Sequence, residues 1–399
     1  MYQQALLYPL FSMIDTKGWI QLVKSAYIHI PFCEHICHYC DFNKFFLEGQ
    51  PVDEYITRLG EEMKMRVRNQ ASEQLETIFV GGGTPTALNA NQLDKLCTEI
   101  NTHLPFETGE FTFEANPGDL SEDKLRVLKD HGVNRLSFGV QSFNNDLLKG
   151  IGRTHKSEDV YSSIEAAQKV GFTNISIDLI YSLPKQTEED FQDTLRKALD
   201  LNLPHYSAYS LIVEPKTVFY NLMRKGNLPL PSQEQEANMY EILIDTMEEY
   251  GLNQYEISNF AKKGYESKHN LVYWDNDEYY GLGAGAHGYI NGVRYSNYGP
   301  LKKYMEPIQQ GKAPTIQEHH VTKGEMMEEE MFLGLRKVDG VNKAVFERKF
   351  GCSIESVFQS SIEKMKDRNL ITVSENSICL TKQGRFLGNE VFQSFLGVI

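Results

Sequence analysis

The chain has 399 residues, of which 41% are hydrophobic and 24% charged, so it can bury a large core and form two or three domains. Its formal net charge of −14 argues against a protein that binds by neutralising nucleic-acid phosphates, since such proteins usually carry a basic face. No apolar run approaches the roughly 20 residues that a membrane-spanning helix needs, so we expect no integral membrane segment.

Residues 1–24 form a predicted N-terminal extension. They contain an apolar stretch but no basic residue before Lys17, so they lack the basic flank of a signal peptide. The first predicted strand begins just after Val23, and a GTG start codon would decode internally as valine. We therefore hypothesise that translation starts near Val23, which mass spectrometry of the native N-terminus would test.

From residue 25, short β-branched or aromatic runs alternate with helical stretches, a pattern typical of parallel strands joined by crossover helices. The sequence predicts an α/β protein with a partial (β/α)6 barrel over residues 25–260, whose strand-end loops line one rim. Helices are predicted at 52–70, 121–132, 187–201 and 233–250. The six predicted strands are 25–31, 77–82, 110–115, 134–140, 174–180 and 205–211.

The remaining residues divide into a connecting segment, 261–315, and a C-terminal domain, 316–399. The sequence of the C-terminal domain predicts three helices followed by a hairpin with a polar tip. This order of elements indicates an α+β winged-helix-like domain. Such domains often bind DNA, but this one is not markedly basic, so we favour a packing or partner-binding role and expect no nucleic-acid partner.

Cysteine usage points to one special site. Three of the six cysteines are scattered without pairing spacing, so we expect no disulfide framework and a reducing, cytoplasmic location. The other three, Cys33, Cys37 and Cys40, form a C-x3-C-x2-C motif. With His35 and His38 interleaved, a zinc site is an alternative, but zinc sites usually use two separated cysteine pairs. Three thiolates suit three corners of a 4Fe-4S cluster, whose fourth iron would stay open to a ligand.

This motif, with Tyr39 as its aromatic residue and a preceding strand that ends in YIHIP, resembles that of the radical S-adenosylmethionine (SAM) superfamily. In that superfamily the open iron binds the amino and carboxylate groups of SAM. Electron transfer from the cluster then cleaves the sulfonium to a 5′-deoxyadenosyl radical. The resemblance implies that the cofactor supplies the chemistry and that the protein positions it.

A glycine-rich turn, GGGTPT at 81–86, follows the second predicted strand. Glycines permit close backbone approach and expose N–H groups that can bind a carboxylate or ribose, although most such turns are only turns. The turn resembles the SAM-binding segment of the superfamily, which implies SAM contacts at Gly82, Gly83 and Thr84.

Polar residues also close the following strands, and a group of them on one rim favours a polar ligand. Residues 25 to about 390 resemble the oxygen-independent coproporphyrinogen oxidase branch of the superfamily. Besides Gly82, that resemblance implies SAM contacts for Tyr27, Glu114, Gln141, Arg153 and Asp178.

Phe42 separates two families within this branch. True coproporphyrinogen dehydrogenases carry a fourth cysteine two residues after the third, whereas this chain reads C-D-F and resembles the haem chaperone (HemW) family. The resemblance implies acceptance of haem and its delivery to proteins such as membrane respiratory enzymes. Two alternatives stay open: a coproporphyrinogen III dehydrogenase that decarboxylates two propionates, and a nucleic-acid-modifying radical enzyme.

The stretch HNLVYW at 269–274 matches a signature of the haem chaperone family that is implicated there in haem binding. His269 can donate an imidazole to iron, and Tyr273 and Trp274 offer flat apolar faces to a macrocycle. Judged on residue types alone, the stretch is more typical of a packed core. The predicted ligands are therefore a 4Fe-4S cluster, SAM and haem, while peripheral membrane contact and a dimer stay open.

Overall fold

The computed structural model describes residues 23–68 and 74–399. The hypothesis on the N-terminal extension concerns residues 1–22, which lie outside the described part. The strands are β1 (Ser25–Ile30), β2 (Phe32–Cys33), β3 (Phe45–Phe46), β4 (Thr77–Gly82), β5 (Glu110–Ala115), β6 (Arg135–Gln141), β7 (Asn174–Tyr181), β8 (His205–Ser210), β9 (Asn253–Glu256), β10 (Asn259–Ala261), β11 (Tyr280–Leu282), β12 (His287–Ile290), β13 (Val293–Asn297), β14 (Thr315–His320), β15 (Val341–Asn342), β16 (Ile371–Val373) and β17 (Ser377–Leu380).

Helices cover the sheet and build the C-terminal domain. Those of the barrel region are α1 (Val52–Arg68), α2 (Ala90–His103), α3 (Glu122–Asp130), α4 (Asn145–Gly150), α5 (Ser157–Lys169), α6 (Glu188–Leu199), α7 (Val218–Arg224) and α8 (Gln233–Glu249). The later ones are α9 (Lys268–Trp274), α10 (Leu301–Gln309), α11 (Lys323–Gly334), α12 (Lys343–Phe350), α13 (Ile354–Asp367), α14 (Lys382–Phe386) and α15 (Gly388–Gln393). Among the described helices, none combines the length and low polarity needed to cross a bilayer.

The central sheet has nine strands in the order β11-β1-β4-β5-β6-β7-β8-β10-β9. Neighbours from β11 to β8 are parallel, and β10 and β9 add an antiparallel edge. The six predicted strands are β1 and β4 to β8, each within one residue of its predicted ends. The partial (β/α)6 barrel is therefore confirmed.

Crossover helices follow the strands as the sequence predicts. Helix α3 begins after Ser121, whose side chain accepts a hydrogen bond from Lys124 N, and α6 begins after Thr187 with a capping box closed by Asp190. Each crossover helix returns the chain to the end of the sheet at which the parallel strands begin. The carboxyl ends of these strands therefore lie together at the opposite end, where the site forms.

The connecting segment, 261–315, does more than join two domains. It contributes β11, which pairs in parallel with β1, and two strands of a separate antiparallel sheet ordered β12-β13-β14. The sequence analysis missed these strands because they are short and partly exposed. Strand β14, for example, reads TIQEHH and has an intermediate residue followed by five exposed ones.

The C-terminal domain contains the predicted helices, α11, α12 and α13, and the predicted hairpin of β16 and β17. A short strand, β15, pairs with β17 and completes a three-stranded sheet. Phe346, Phe358 and Phe395 belong to a separate buried core of this region. The winged-helix-like fold is confirmed, and the boundaries drawn at residues 260 and 315 stay predictions.

Candidate functional site

A cavity of about 430 Å³ opens at the carboxyl ends of the parallel strands. Cys33, Cys37 and Cys40 contribute one part of its lining. Residues from the ends of successive strands and the loops after them supply another part: Gly82, Gly83, Thr84, Glu114, Gln141, Arg153 and Asp178. The structure therefore brings together every residue predicted to bind the cluster or SAM except Tyr27.

The cysteine motif begins at the last residue of β2 and ends before β3, and these two strands pair in parallel. Backbone hydrogen bonds tie its middle to two helices: His38 N donates to Ile151 O at 3.0 Å, and Phe219 N donates to His38 O at 3.1 Å. Lys44 Nζ donates to the carbonyl oxygens of Cys40 at 2.5 Å and Phe42 at 3.1 Å. These contacts hold the loop in place, and all three thiols are free of disulfides.

The donor set of this loop fits an iron–sulfur cluster. Burial raises the pKa of Cys33 to about 11 and also raises the pKa of Cys40, so iron must displace protons to obtain thiolate ligands. In the described part of the chain, no three His, Cys, Asp or Glu side chains gather around a position for a single metal ion. Three thiolates can hold a 4Fe-4S cluster and leave one iron open.

The amide N–H groups of the glycine-rich turn have partners within the chain, and SAM contacts at this turn stay a prediction. Its amide N–H groups are already used, because Gly82 N donates to Glu114 Oε2, Gly83 N to Ile30 O and Thr84 N to Phe32 O. A Cβ on Gly82 would meet the His29 ring at 2.3 Å, and Gly82 also has a φ of +112°. The glycines thus permit close packing of the turn, and their N–H groups do not wait for a ligand.

Arg153 carries a hydrogen-bond donor that no described residue satisfies. Its Nη1 donates to Asn116 Oδ1 at 2.6 Å and its Nη2 to Gly139 O at 2.7 Å, while its Nε is buried without a partner. A buried, unsatisfied N–H on a guanidinium is costly unless a ligand accepts from it. Arg153 also lines the cavity, so its charged guanidinium belongs to the polar wall.

Two carboxyl groups complete the polar wall. Burial raises the pKa of Glu114 to about 7 and raises the pKa of Asp178, whose oxygens accept from Ser137 Oγ at 3.2 and 3.3 Å. Such groups favour a cationic ligand or one rich in hydroxyls, because either would compensate a buried charge. SAM offers both a sulfonium cation and ribose hydroxyls, so the residues fit it.

Two features of the site were not predicted from the sequence. The pairing of β6 with β7 shifts register between Gly139 and Gln141, and Gln141 has a φ of +67°, so a bulge orients this residue at the cavity. Asn116 joins the wall by donating to Thr84 Oγ1 and accepting from Arg153. Its position directly after the last residue of β5 was the available signal.

Tyr27 lies outside the lining of the cavity. Its side chain sits in the middle of β1, its hydroxyl is 2.9 Å from His29 Nδ1, and its ring stacks near Phe79. Burial, with the nearby Glu114, raises the pKa of Tyr27 well above its ordinary value, so the phenol stays neutral. A contact between Tyr27 and SAM stays a prediction.

The predicted haem ligand, His269, lies at the opposite end of the barrel. Its Nδ1 is 3.0 Å from Ser25 Oγ and 2.9 Å from Thr77 Oγ1, which belong to the first residues of β1 and β4. Its Nε2 is 2.8 Å from the hydroxyl of Tyr273. Burial, with the charge of Arg135, lowers the pKa of His269 to about 3, so the ring is neutral. Both nitrogens are engaged, and its role as a haem ligand stays a prediction.

The two aromatic residues of the HNLVYW stretch are also packed. Tyr273 contacts the Tyr279 ring edge-on at 4.8 Å, and the guanidinium of Arg336 lies 5.0 Å from the ring centroid of Trp274. Trp274 lines a second cavity of about 310 Å³, bordered by α11 and α12, and its Nε1 has no described partner. The structure therefore does not bring the HNLVYW residues to the cysteine cavity.

Two known families match separate parts of the chain. Residues 27–198 match the radical SAM superfamily, and residues 321–387 match the HemN C-terminal domain. A solved structure described as coproporphyrinogen III oxidase (HemN) from Escherichia coli, a radical SAM enzyme, superposes with a TM-score of 0.83 at 25% sequence identity. The match covers 96% of this chain and 92% of that one.

Curated relatives decide the family. A protein of Bacillus subtilis (strain 168) named Heme chaperone HemW is 56% identical over 377 residues, which are 94% of this chain and 100% of the relative. One of the same name from Lactococcus lactis is 50% identical and covers 94% of this chain and 98% of the relative. This chain belongs to the heme chaperone HemW family. For this HemW-family chain, the resemblance drawn from C-D-F and HNLVYW is confirmed.

Proposed function

We propose that this HemW-family chain is a haem chaperone of the radical-SAM type, which binds a 4Fe-4S cluster, SAM and haem. The observation that carries the proposal is the match of at least 50% identity, over nearly the whole length, to proteins named Heme chaperone HemW. A cluster and SAM follow from the superfamily, and haem follows from the family.

Residue roles complete the proposal. Cys33, Cys37 and Cys40 hold the cluster, which supplies an open iron for SAM and a source of single electrons. The charged guanidinium of Arg153 donates hydrogen bonds to the carboxylate of SAM, because Arg153 lines the cavity, while the carboxyls of Glu114 and Asp178 face cationic or hydroxyl groups. The remaining proposed SAM contacts are Tyr27, Gly82, Gly83, Thr84 and Gln141.

The cellular setting is part of the same proposal. The chain works in the cytoplasm, accepts haem there and delivers it to haem-dependent proteins such as membrane respiratory enzymes. With a net charge of −14 it would visit an anionic membrane surface briefly, since like charges repel. A dimer would present two cavities, and light scattering of the loaded protein reports whether one forms.

One alternative function, decarboxylation of coproporphyrinogen, is also supported by an observation. The likeness to coproporphyrinogen III oxidase, with a TM-score of 0.83, favours decarboxylation of coproporphyrinogen III as a second candidate activity. Phe42 argues against it, because it stands where the dehydrogenases of this branch carry a fourth cysteine.

An anaerobic assay separates the two functions. The reconstituted chain is incubated with SAM, a reductant and coproporphyrinogen III, and in parallel with haem. A chaperone binds haem stoichiometrically and yields no decarboxylated porphyrinogen. Steady formation of the decarboxylated product, with no saturable haem binding, would make the chain a dehydrogenase.

SAM affinity should depend on pH through Glu114. We expect the affinity of the reconstituted protein to rise about tenfold from pH 6 to pH 8, because the raised pKa of about 7 leaves Glu114 mostly protonated at the lower pH. Isothermal titration across this range measures the effect. Glu114→Gln should bind more weakly with a flatter profile, whereas the exposed control Glu122→Gln should keep the full dependence.

A further inference from the structure

Thr84 contacts one of the three cysteines of the cluster motif. Its Oγ1 lies 3.7 Å from Cys33 Sγ, and both side chains are buried. The backbone of Thr84 is fixed beside Cys33, because Thr84 N donates to Phe32 O at 2.8 Å. A hydroxyl can donate one hydrogen bond and accept others, so the position of its single proton decides what Thr84 does to the sulfur.

Asn116 determines where that proton lies. The guanidinium of Arg153 can only donate, and its Nη1 donates to Asn116 Oδ1 at 2.6 Å. The carboxamide oxygen must therefore face Arg153, since the opposite orientation would set one N–H group against another. The Asn116 amide group then donates to Thr84 Oγ1 and to Asp119 Oδ2, both at 3.1 Å. Because Thr84 Oγ1 accepts from Asn116, its own proton remains available for Cys33 Sγ.

The side chains of Arg153, Asn116, Thr84 and Cys33 form one ordered series of hydrogen bonds. Each group donates to the next, from the guanidinium to the carboxamide, then to the hydroxyl and finally to the sulfur. The positive charge at the start polarises the bonds that follow it. Hydrogen bonds to the ligand sulfurs of an iron–sulfur cluster help to set its reduction potential, and a donor favours the reduced form because that form carries more negative charge.

We propose that Asn116 is a positioning residue of the cluster site: it directs the Thr84 hydroxyl to donate to the Cys33 sulfur, and this hydrogen bond raises the reduction potential of the cluster. The inference rests on the proposed ligation of a 4Fe-4S cluster by the three-cysteine motif and adds how the protein tunes that cluster. Thr84 thereby gains a role beyond the proposed SAM contact. Because the series begins at Arg153, which lines the same cavity, a carboxylate bound there would reduce the polarisation of the bond to Cys33.

The test is an anaerobic redox titration of the full, cluster-reconstituted chain without SAM, followed by absorbance and electron paramagnetic resonance. Thr84→Val keeps the side-chain shape but removes the hydroxyl, so the ratio of reduced to oxidised cluster at a fixed ambient potential should fall about fivefold. Thr84→Ser keeps a hydroxyl and should restore the potential of the unmodified chain. Thr86→Val is the matched control and should leave the potential unchanged. Thr86 is buried in the same turn, but it does not line the cavity and its hydroxyl has no partner in the described part of the chain.

A second variant tests the positioning role of Asn116 itself. Asn116→Leu leaves Thr84 in place but removes the group that directs its proton, so the potential should fall in the same direction as in Thr84→Val. The double variant should fall no further than Thr84→Val alone, because both substitutions act through one hydrogen bond to Cys33. Iron and sulfide analysis and thermal melting confirm that each variant retains its cluster and its fold.

Three results would overturn the proposal. An unchanged potential in a Thr84→Val protein that retains its cluster would show that the hydroxyl does not tune it. Additive shifts in the double variant would mean that Asn116 acts independently of Thr84. Loss of the cluster in Thr84→Val, together with an unchanged potential in Asn116→Leu, would make Thr84 a structural residue only. Failure of the unmodified chain to assemble a cluster would instead overturn the proposed function itself, and the inference with it.

Discussion

Cys37→Ala is expected to abolish the 4Fe-4S cluster, with loss of essentially all cluster iron and visible absorbance after anaerobic reconstitution. Cys37 supplies one of the three thiolates on the loop, and the described lining of the cavity contains no further cysteine to replace it. SAM binding should be lost as well, since the open iron disappears with the cluster. Iron and sulfide analysis and absorbance measure the result.

A matched control uses a cysteine of similar exposure outside the site. Cys352 is half-buried like Cys37 and contacts Met327 in the C-terminal domain. Cys352→Ala should therefore retain a full cluster. A Cys37→Ala protein that still held four irons and bound SAM would contradict the assignment of the three-cysteine motif.

Arg153→Met should weaken SAM binding by about 10- to 100-fold while leaving the cluster in place. The change removes the buried Nε donor together with the charge, and hydrogen bonds to charged groups contribute about 1.5–3 kcal/mol. Isothermal titration of reconstituted protein gives the affinity. Arg126→Met, at an exposed arginine that pairs with Glu122 on α3, should bind SAM normally.

A second substitution should displace the same guanidinium while Arg153 itself is retained. A Cβ on Gly139 would come within 2.4 Å of Arg153 Nη2, so Gly139→Ala should displace the guanidinium and also reduce SAM affinity. Thermal melting distinguishes displacement from unfolding. If both variants bound SAM like the unmodified chain, Arg153 would be a structural residue only.

Sequence periodicity was sufficient for the barrel because its strands are apolar and its helices carry clear caps. The buried runs of β4 and β5 and the Ser121 and Thr187 caps are local signals that tertiary contacts did not override. The cysteine loop was equally readable, since ligand spacing is a property of the chain itself. The gathering of most predicted site residues in one cavity follows from the parallel topology.

Other features depend on contacts that no local pattern encodes. The glycine-rich turn was expected to offer free N–H groups, yet Glu114, Ile30 and Phe32 accept from them, because β4 packs closely against its neighbours. The bulge at Gln141 arises from a register shift between two strands, which a single strand does not reveal. The burial of His269 could not be predicted from the sequence either, because its partners Ser25 and Thr77 are distant in the chain and meet it only in the folded protein.

The most direct test of the site is electron paramagnetic resonance of the reduced, reconstituted protein before and after addition of SAM. Cluster ligation by three cysteines, with one iron left open for SAM, predicts a 4Fe-4S signal whose shape would change when SAM binds, and a much smaller change in Arg153→Met at the same SAM concentration. A reduced cluster whose signal is indifferent to SAM would contradict the account, because the fourth iron would then already carry another ligand.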